Sequence, residues 1–187
     1  MGRILHHLPH METQHLWVRE LVPSDVHDFA AYMLDPSYQR HLAVRPKSVE
    51  DVRGMVLRAI ARQDRDMRRS YHLAGWSKAV GASIADGFIL HDGAESAELG
   101  WGVHPALWGG GIGTEMARAL VAAAFERLGA KRVWCKVMAG NIASQRLAAR
   151  MGFTARERIS DYPLGAGRAG AVVIFSLGNS EYYESAY

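Results

Sequence analysis

Trp108-Gly109-Gly110-Gly111-Ile112-Gly113-Thr114 sets four glycines in seven residues, between a strand-like run (Glu98 to Val103) and a helix-like run (Thr114 to Leu128). A glycine-rich turn that opens a helix suits an anion. Glycine lets a phosphate approach the backbone, the first helical N–H groups lack intrahelical partners, and the helix dipole adds partial positive charge. The expected ligand is a pyrophosphate; the competing reading is a plain glycine turn between strand and helix. Two familiar phosphate loops are excluded. A G-x-G-x-x-G fingerprint counted from Gly109 meets Thr114 where its third glycine belongs, and no Lys follows as a P-loop requires.

Other chemistry-bearing residues are scattered. His6, His7 and His10 could hold a metal but read better as a solvated tail. The single cysteine, Cys135, excludes an internal disulfide and reads as a buried, inert thiol. The stretch Ser37 to Lys47 offers Tyr38, Gln39, Arg40, His41 and Arg45 for a substrate side or a plain surface. Arg62 to Arg69 holds four arginines interrupted by Asp64 and Asp66, which suggests a solvated helix end.

The elements that must position these groups follow from periodicity. His15 to Glu20 alternates as a strand. Pro23-Ser24-Asp25 starts a helix with Val26, Phe29, Ala30 and Met33 on one face, and Asp35-Pro36 stops it. Ser48 with Asp51 opens a second helix in a capping-box variant. Tyr71 to Trp76 and Val80 to Leu90 read as a hairpin with a bulge near Asp86-Gly87. On the strand Glu98 to Val103, Leu99, Trp101 and Val103 face one way. Gly100 and Gly102 face the other with Glu98, inviting close approach by a backbone or ligand. Gly129 ends the helix after the glycine loop, and Arg132 to Met138 completes a parallel βαβ unit. Asn141 caps a short helix that ends at Gly152. Thr154 to Ile159 and Ala171 to Leu177 close the sheet around a loop, Gly165 to Gly170. Residues 14–178 form one expected domain between loose tails, 1–13 and 179–187.

This order resembles the GNAT acyltransferase superfamily, whose members use acyl-coenzyme A. Four segments carry the resemblance to its RimJ/RimL branch of N-terminal amine acetyltransferases: Glu98-Leu99-Gly100-Trp101-Gly102-Val103-His104-Pro105, Trp108 to Glu115, Asn141-Ile142-Ala143-Ser144, and Met151-Gly152-Phe153. The opening Leu16 to Leu21 with Asp25 is also similar, so the likeness runs from about Leu16 to Leu177. In the family's loop pattern [RQ]-x-x-G-x-[GA], Gly111 and Gly113 match the small positions. Trp108 stands where Arg or Gln is usual, a substitution common in the RimJ/RimL branch. The resemblance implies an α+β (α/β) fold: a mixed, mostly antiparallel central sheet with helices on both faces. It also implies a parallel splay between the strands near 98–103 and 132–138.

The implied reaction moves an acetyl group directly from acetyl-CoA to a primary amine, with no metal. The resemblance assigns the Val103 backbone N–H to polarise the thioester carbonyl, with the Val103 edge pairing the pantetheine as an added strand would. Trp108, Gly109, Gly110, Gly111, Ile112, Gly113 and Thr114 would hold the cofactor, with Asn141 and Ser144 as further contacts. The Tyr that many members carry four residues before the Gly-Phe pair is replaced by Ala148. Ser144 stands in as the expected acid, against a role in helix capping. Glu98, acting directly or through water, is the expected base, against a solvated strand-start residue. Glu115 reads as a structural partner of the helix dipole and His104 as flanking the turn.

A chain of 187 residues with 49% hydrophobic content is globular and of single-domain size. Its net charge of +3 is scattered, which does not specially indicate nucleic acid; no stretch is long and apolar enough to span a membrane, and the N-terminus lacks a signal-peptide pattern, so the expected location is the cytoplasm. A homodimer is common in the branch. Two other readings compete: a non-catalytic acyl-CoA-binding sensor, and a nucleotide enzyme, which the absent Lys and Mg²⁺-type carboxylates disfavour.

Overall fold

A computed structural model describes residues 7–65, 68–93, 95–165 and 167–185. Chain order is β1 (Met11–Glu12), β2 (Leu16–Glu20), α1 (Asp25–Met33), α2 (Pro36–Gln39), α3 (Val49–Ile60), β3 (Ser70–Ser77), β4 (Ser83–His91), β5 (Ser96–Val103), α4 (Ile112–Ala122), β6 (Arg132–Met138), α5 (Ile142–Arg150), β7 (Thr154–Gly165), β8 (Arg168–Gly178) and α6 (Asn179–Ser185). One sheet of eight strands runs β1-β2-β3-β4-β5-β6-β8-β7. Every pair is antiparallel except β5 with β6. This is the expected mixed α/β architecture.

Each face of the sheet buries its own core. On one side Leu99, Met116, Leu120 and Val133 pack α4 against the strands. On the other Phe29, Tyr32, Val52 and Val56 bring α1 and α3 onto Ala74. The helices form for legible reasons. The Ser48 hydroxyl accepts from the Asp51 N–H at 3.2 Å and the Asp51 carboxylate from the Lys47 N–H at 2.7 Å, which satisfies two donors at the head of α3. Asp35 caps α2, a single turn that carries Tyr38 inward from the stretch expected as loop.

Several expectations change. Leu8 is buried and Met11–Glu12 pairs with β2, while Asn179–Ser185 is a helix whose Tyr182 ring lies 5.0 Å from Phe125, so both expected tails carry structure. His6 lies outside the described residues. The register shift falls at Gly75/Trp76 rather than at Asp86-Gly87, and Asp86 pairs in register with Ala74 and Gly102. β4 starts at Ser83, not Val80. β7 and β8 extend through most of the expected 165–170 loop. Arg68 is no solvated helix end: it is 5% exposed, pairs with Glu20 at 2.5 Å and lies over the Tyr71 ring. After Ala122 the α4 backbone widens into a π turn, with the Leu128 N–H bonded to the Ala123 carbonyl.

Candidate active site

β5 and β6 share only the pairs Ser96–Arg132, Ala97–Val133 and Glu98–Trp134, then part. The His104 N–H is donated to the Ile84 carbonyl on β4 at 2.9 Å. By strand alternation the Val103 N–H therefore faces the gap between β5 and β6. The Val103 carbonyl faces the same way and accepts from the Trp108 indole N–H at 2.9 Å. Trp108, expected to help hold the cofactor, uses its side chain to tie the glycine loop to the end of β5.

The loop's backbone is set by glycine. Gly109 has φ +82° and Gly111 has φ +86°, values that L side chains rarely adopt, and a Cβ on either would meet nothing within 4 Å. The first bond of α4 runs from the Glu115 N–H to the Gly111 carbonyl, so the N–H groups of Ile112, Gly113 and Thr114 have no partner among the described residues. The Gly110 N–H is used inside the turn, on the Leu107 carbonyl at 3.3 Å. Open space before unpartnered N–H groups at a helix start fits a pyrophosphate. Glu115 takes the structural part expected of it: its carboxylate accepts from the His15 and Leu16 N–H groups and meets the His15 ring, pinning β2 to α4. His104 accepts from the Ala106 N–H and caps the turn after β5.

Loop and splay open onto one cleft of about 1360 Å³, above the ~300–1,000 Å³ of an ordinary small-molecule site, so it has room for two substrates. Of the expected site residues, Glu98, Val103, Trp108, Gly109, Gly111, Gly113, Thr114, Asn141 and Ser144 line it. Gly110 and Ile112 are not among its lining residues; the Ile112 side chain packs against the core. At the head of α5 the Asn141 side chain accepts from the Ser144 N–H at 3.1 Å. Asn141 is thus the cap, and the Ser144 hydroxyl has no partner among the described residues. Burial first, then the nearby Glu98 carboxylate, push the Cys135 thiol up to about 12, which agrees with an inert thiol.

Glu98 reaches the cleft wall but is not alone. Its Oε1 lies 2.9 Å from Lys136 Nζ, which also donates to the Tyr162 hydroxyl at 3.1 Å. The chain Glu98–Lys136–Tyr162 bridges β5, β6 and β7 across the splay. Sequence reasoning missed a second cluster. Asp86 of β4 accepts from the hydroxyls of Tyr32 at 2.9 Å and Tyr38 at 2.5 Å. The close approach expected at the β5 glycines is made by side chains. A Cβ on Gly100 would lie 2.2 Å from Phe88, and one on Gly102 would lie 2.1 Å from the Tyr38 hydroxyl. Gly102→Ala should therefore destabilise the fold by about 1–3 kcal/mol through overpacking, read as a lower midpoint in urea. The Arg168 guanidinium donates to the Ala43 carbonyl, joining the β7–β8 turn to the segment after α2.

The family model described as an acetyltransferase (GNAT) domain matches residues 15–154. The chain belongs to the GNAT acetyltransferase family and is an acetyl-transferring enzyme. It is 25% identical over 174 residues to an uncharacterized N-acetyltransferase, p20, of Bacillus licheniformis, covering 91% of this chain and 96% of that one. In fold it matches a GNAT-family acetyltransferase from Bacillus anthracis with TM-score 0.79 at 14% identity, covering 92% and 99% of the two chains. It also matches RimL, a ribosomal L7/L12 alpha-N-protein acetyltransferase solved with coenzyme A, with TM-score 0.77 at 19% identity over 89% and 95%. The family uses acetyl-CoA.

Proposed function

We propose that this enzyme moves an acetyl group directly from acetyl-CoA to a primary amine, either a protein N-terminal α-amine or a small-molecule amine. One observation carries the reading. The parted β5/β6 edge and the unpartnered N–H groups at the start of α4 open onto the same cleft, opposite a wall of β4, α1 and α2 that carries Asp86 and Tyr38 among apolar side chains. The family match weighs against the sensor reading.

Acetyl-CoA, when bound, supplies the activated acetyl group as its thioester. The N–H groups of Gly111 to Thr114, at the positive end of α4, hold the pyrophosphate, and Asn141 lies beside its path. The edge of β5 near Val103 receives the pantetheine amides as an added strand would. The Val103 N–H donates to the thioester carbonyl oxygen, where negative charge develops. The Ser144 hydroxyl, free of capping duty, donates a proton to the departing sulfur. Two carboxylates, Glu98 and Asp86, face the acceptor side. Glu98 is committed at one oxygen to Lys136 and serves to brace the splay.

Ser144→Ala tests the acid. Turnover should fall about 10²-fold or more, as for loss of a general acid, while the acetyl-CoA dissociation constant from calorimetry stays within a factor of about two. Turnover equal to that of the unaltered enzyme would leave Ser144 no part in the chemistry.

A further inference from the structure

Asp86 sits on β4 opposite Gly102, one residue from the Val103 N–H that faces the splay. Its carboxylate lines the cleft and is partly exposed there. Oδ1 is fully engaged by the hydroxyls of Tyr32 and Tyr38. Both tyrosines are buried, and their rings meet edge to face at 5.0 Å, so the grip is rigid. Burial first, and then the adjacent Asp86 charge, hold both phenols well above their usual range, so both remain protonated donors. Oδ2 has no partner among the described residues and is not sealed from the cleft. Gly102 is required for the arrangement, since a Cβ there would stand 2.6 Å from Asp86 Oδ1.

What this carboxylate lacks is a cation. Its neighbours have theirs: Asp25 is paired with Arg19, and Glu98 with Lys136. Among the described residues no Lys, Arg or His lies within ion-pair distance of Asp86. The residues facing it are Ala74 from β3 and Gly102 from β5, both uncharged, with Tyr32 from α1 and Tyr38 from α2. Other titratable groups nearby are His104, whose ring is 5.4 Å from that of Tyr32, Asp25, whose charge reaches Tyr32, and His72, which pairs with Phe88 two residues along β4, lines the same cleft and is held down to about 4 by burial, hence uncharged near neutral pH. A carboxylate kept from full hydration without a counter-charge is costly, and an incoming ammonium removes that cost.

We propose that Asp86 is the acceptor's ammonium site: Oδ2 receives a cationic aliphatic primary amine and takes one of its protons, while Tyr32 and Tyr38 hold Oδ1. The proposal rests on the acetyltransferase reading above and supplies its missing proton acceptor. Burial raises the Asp86 carboxyl above the ordinary carboxylate range, against the lowering effect of the two hydroxyl bonds, which makes it a better base near neutral pH. In the balanced step, the ammonium gives a proton to Oδ2, and the freed nitrogen lone pair forms the C–N bond as the thioester C–S bond breaks. A second nitrogen proton goes to the leaving sulfur, through Ser144. The products are the amide, the free thiol and the proton that Asp86 returns to water.

The test compares the unaltered enzyme with Asp86→Asn and Glu98→Gln, reading thiol release from acetyl-CoA. The acceptors are spermidine, seryl and alanyl dipeptide amides, and aniline, which is already neutral at the assay pH. Asp86→Asn should lower kcat/KM for the aliphatic amines about 100-fold or more but leave aniline within about threefold. The acid limb of the pH profile for aliphatic amines should vanish with it. Acetyl-CoA affinity should be unchanged. The melting temperature should hold or rise, because a carboxyl with a raised pKa costs stability as pH rises through that pKa and Asn does not. Equal loss on aniline and the aliphatic amines, or no loss on either, overturns the proposal. If only Glu98→Gln loses the aliphatic amines, the base is Glu98 and the acetyltransferase reading stands. If the unaltered enzyme releases no thiol with any acceptor, that reading fails and this one with it.

Discussion

Gly111→Trp should weaken acetyl-CoA binding about 100-fold or more, a loss of about 2.8 kcal/mol or more. The indole would enter the open space before Ile112, Gly113 and Thr114, where a Cβ meets nothing within 4 Å. It would thereby cover N–H groups proposed to bind the pyrophosphate, each charge-assisted bond contributing about 1.5–3 kcal/mol. A second effect acts on the fold alone: φ +86° suits glycine, and a side chain there costs roughly 1–2 kcal/mol. Gly81→Trp separates the two. Gly81 has φ +71° in the β3–β4 turn and does not line the cleft, so its variant should carry similar strain and bind acetyl-CoA normally. Titration calorimetry on both variants, with circular dichroism to confirm the fold, reads the difference. Normal binding by Gly111→Trp would remove the loop from the cofactor site.

Asp25→Ala should be the most destabilising single change. Asp25 is fully buried at the start of α1, where its carboxylate accepts two bonds from Arg19 at 2.8 Å, one from the Val22 N–H at 2.8 Å and one from the Ser83 hydroxyl at 2.6 Å. It thereby joins β2, α1 and β4. Alanine would leave the largely buried Arg19 charge uncompensated, at a cost of about 3–5 kcal/mol. In a chain of this size that lowers the melting temperature by roughly 10 °C. The pH dependence has a definite sign. Burial acts to raise the Asp25 carboxyl, but the bonds from Arg19, Ser83 and Val22 outweigh it and leave the group below its ordinary value. The stabilisation is therefore present above the unfolded pKa of about 3.9 and is lost as pH falls through the lower folded value. Melting curves of the two proteins should stay a constant distance apart above about pH 5 and converge below about pH 4.

Local chemistry was what the sequence made legible. The glycine loop announced itself because positive φ and unpartnered N–H groups depend on few residues in a row. The capping of α3 by Ser48 and Asp51 and the faces of α1 and α4 were equally readable. Contacts between distant segments were not. The Trp108 indole bond to the Val103 carbonyl depends on how the loop folds back, and the Glu98–Lys136 pair on which strand lies next to β5. Asp86 was misread as the mark of a bulge because an acid inside an apolar strand looks like an interruption. Only pairing β4 with β5, and carrying Tyr38 inward on α2, shows it to be gripped. β7 and β8 outran their expected ends because ladder bonding continued into residues whose glycine content suggested a loop.

The central claim is acetyl transfer from acetyl-CoA to a primary amine, and thiol release from acetyl-CoA against a panel of amines tests it most directly, with calorimetry of acetyl-CoA alongside. Tight binding, with thiol release that depends on an aliphatic primary amine and matches acetylated product one for one, is the predicted result. Binding without turnover on any amine would contradict the enzymatic claim and return the chain to the sensor reading; no binding at all would make the glycine loop a plain turn.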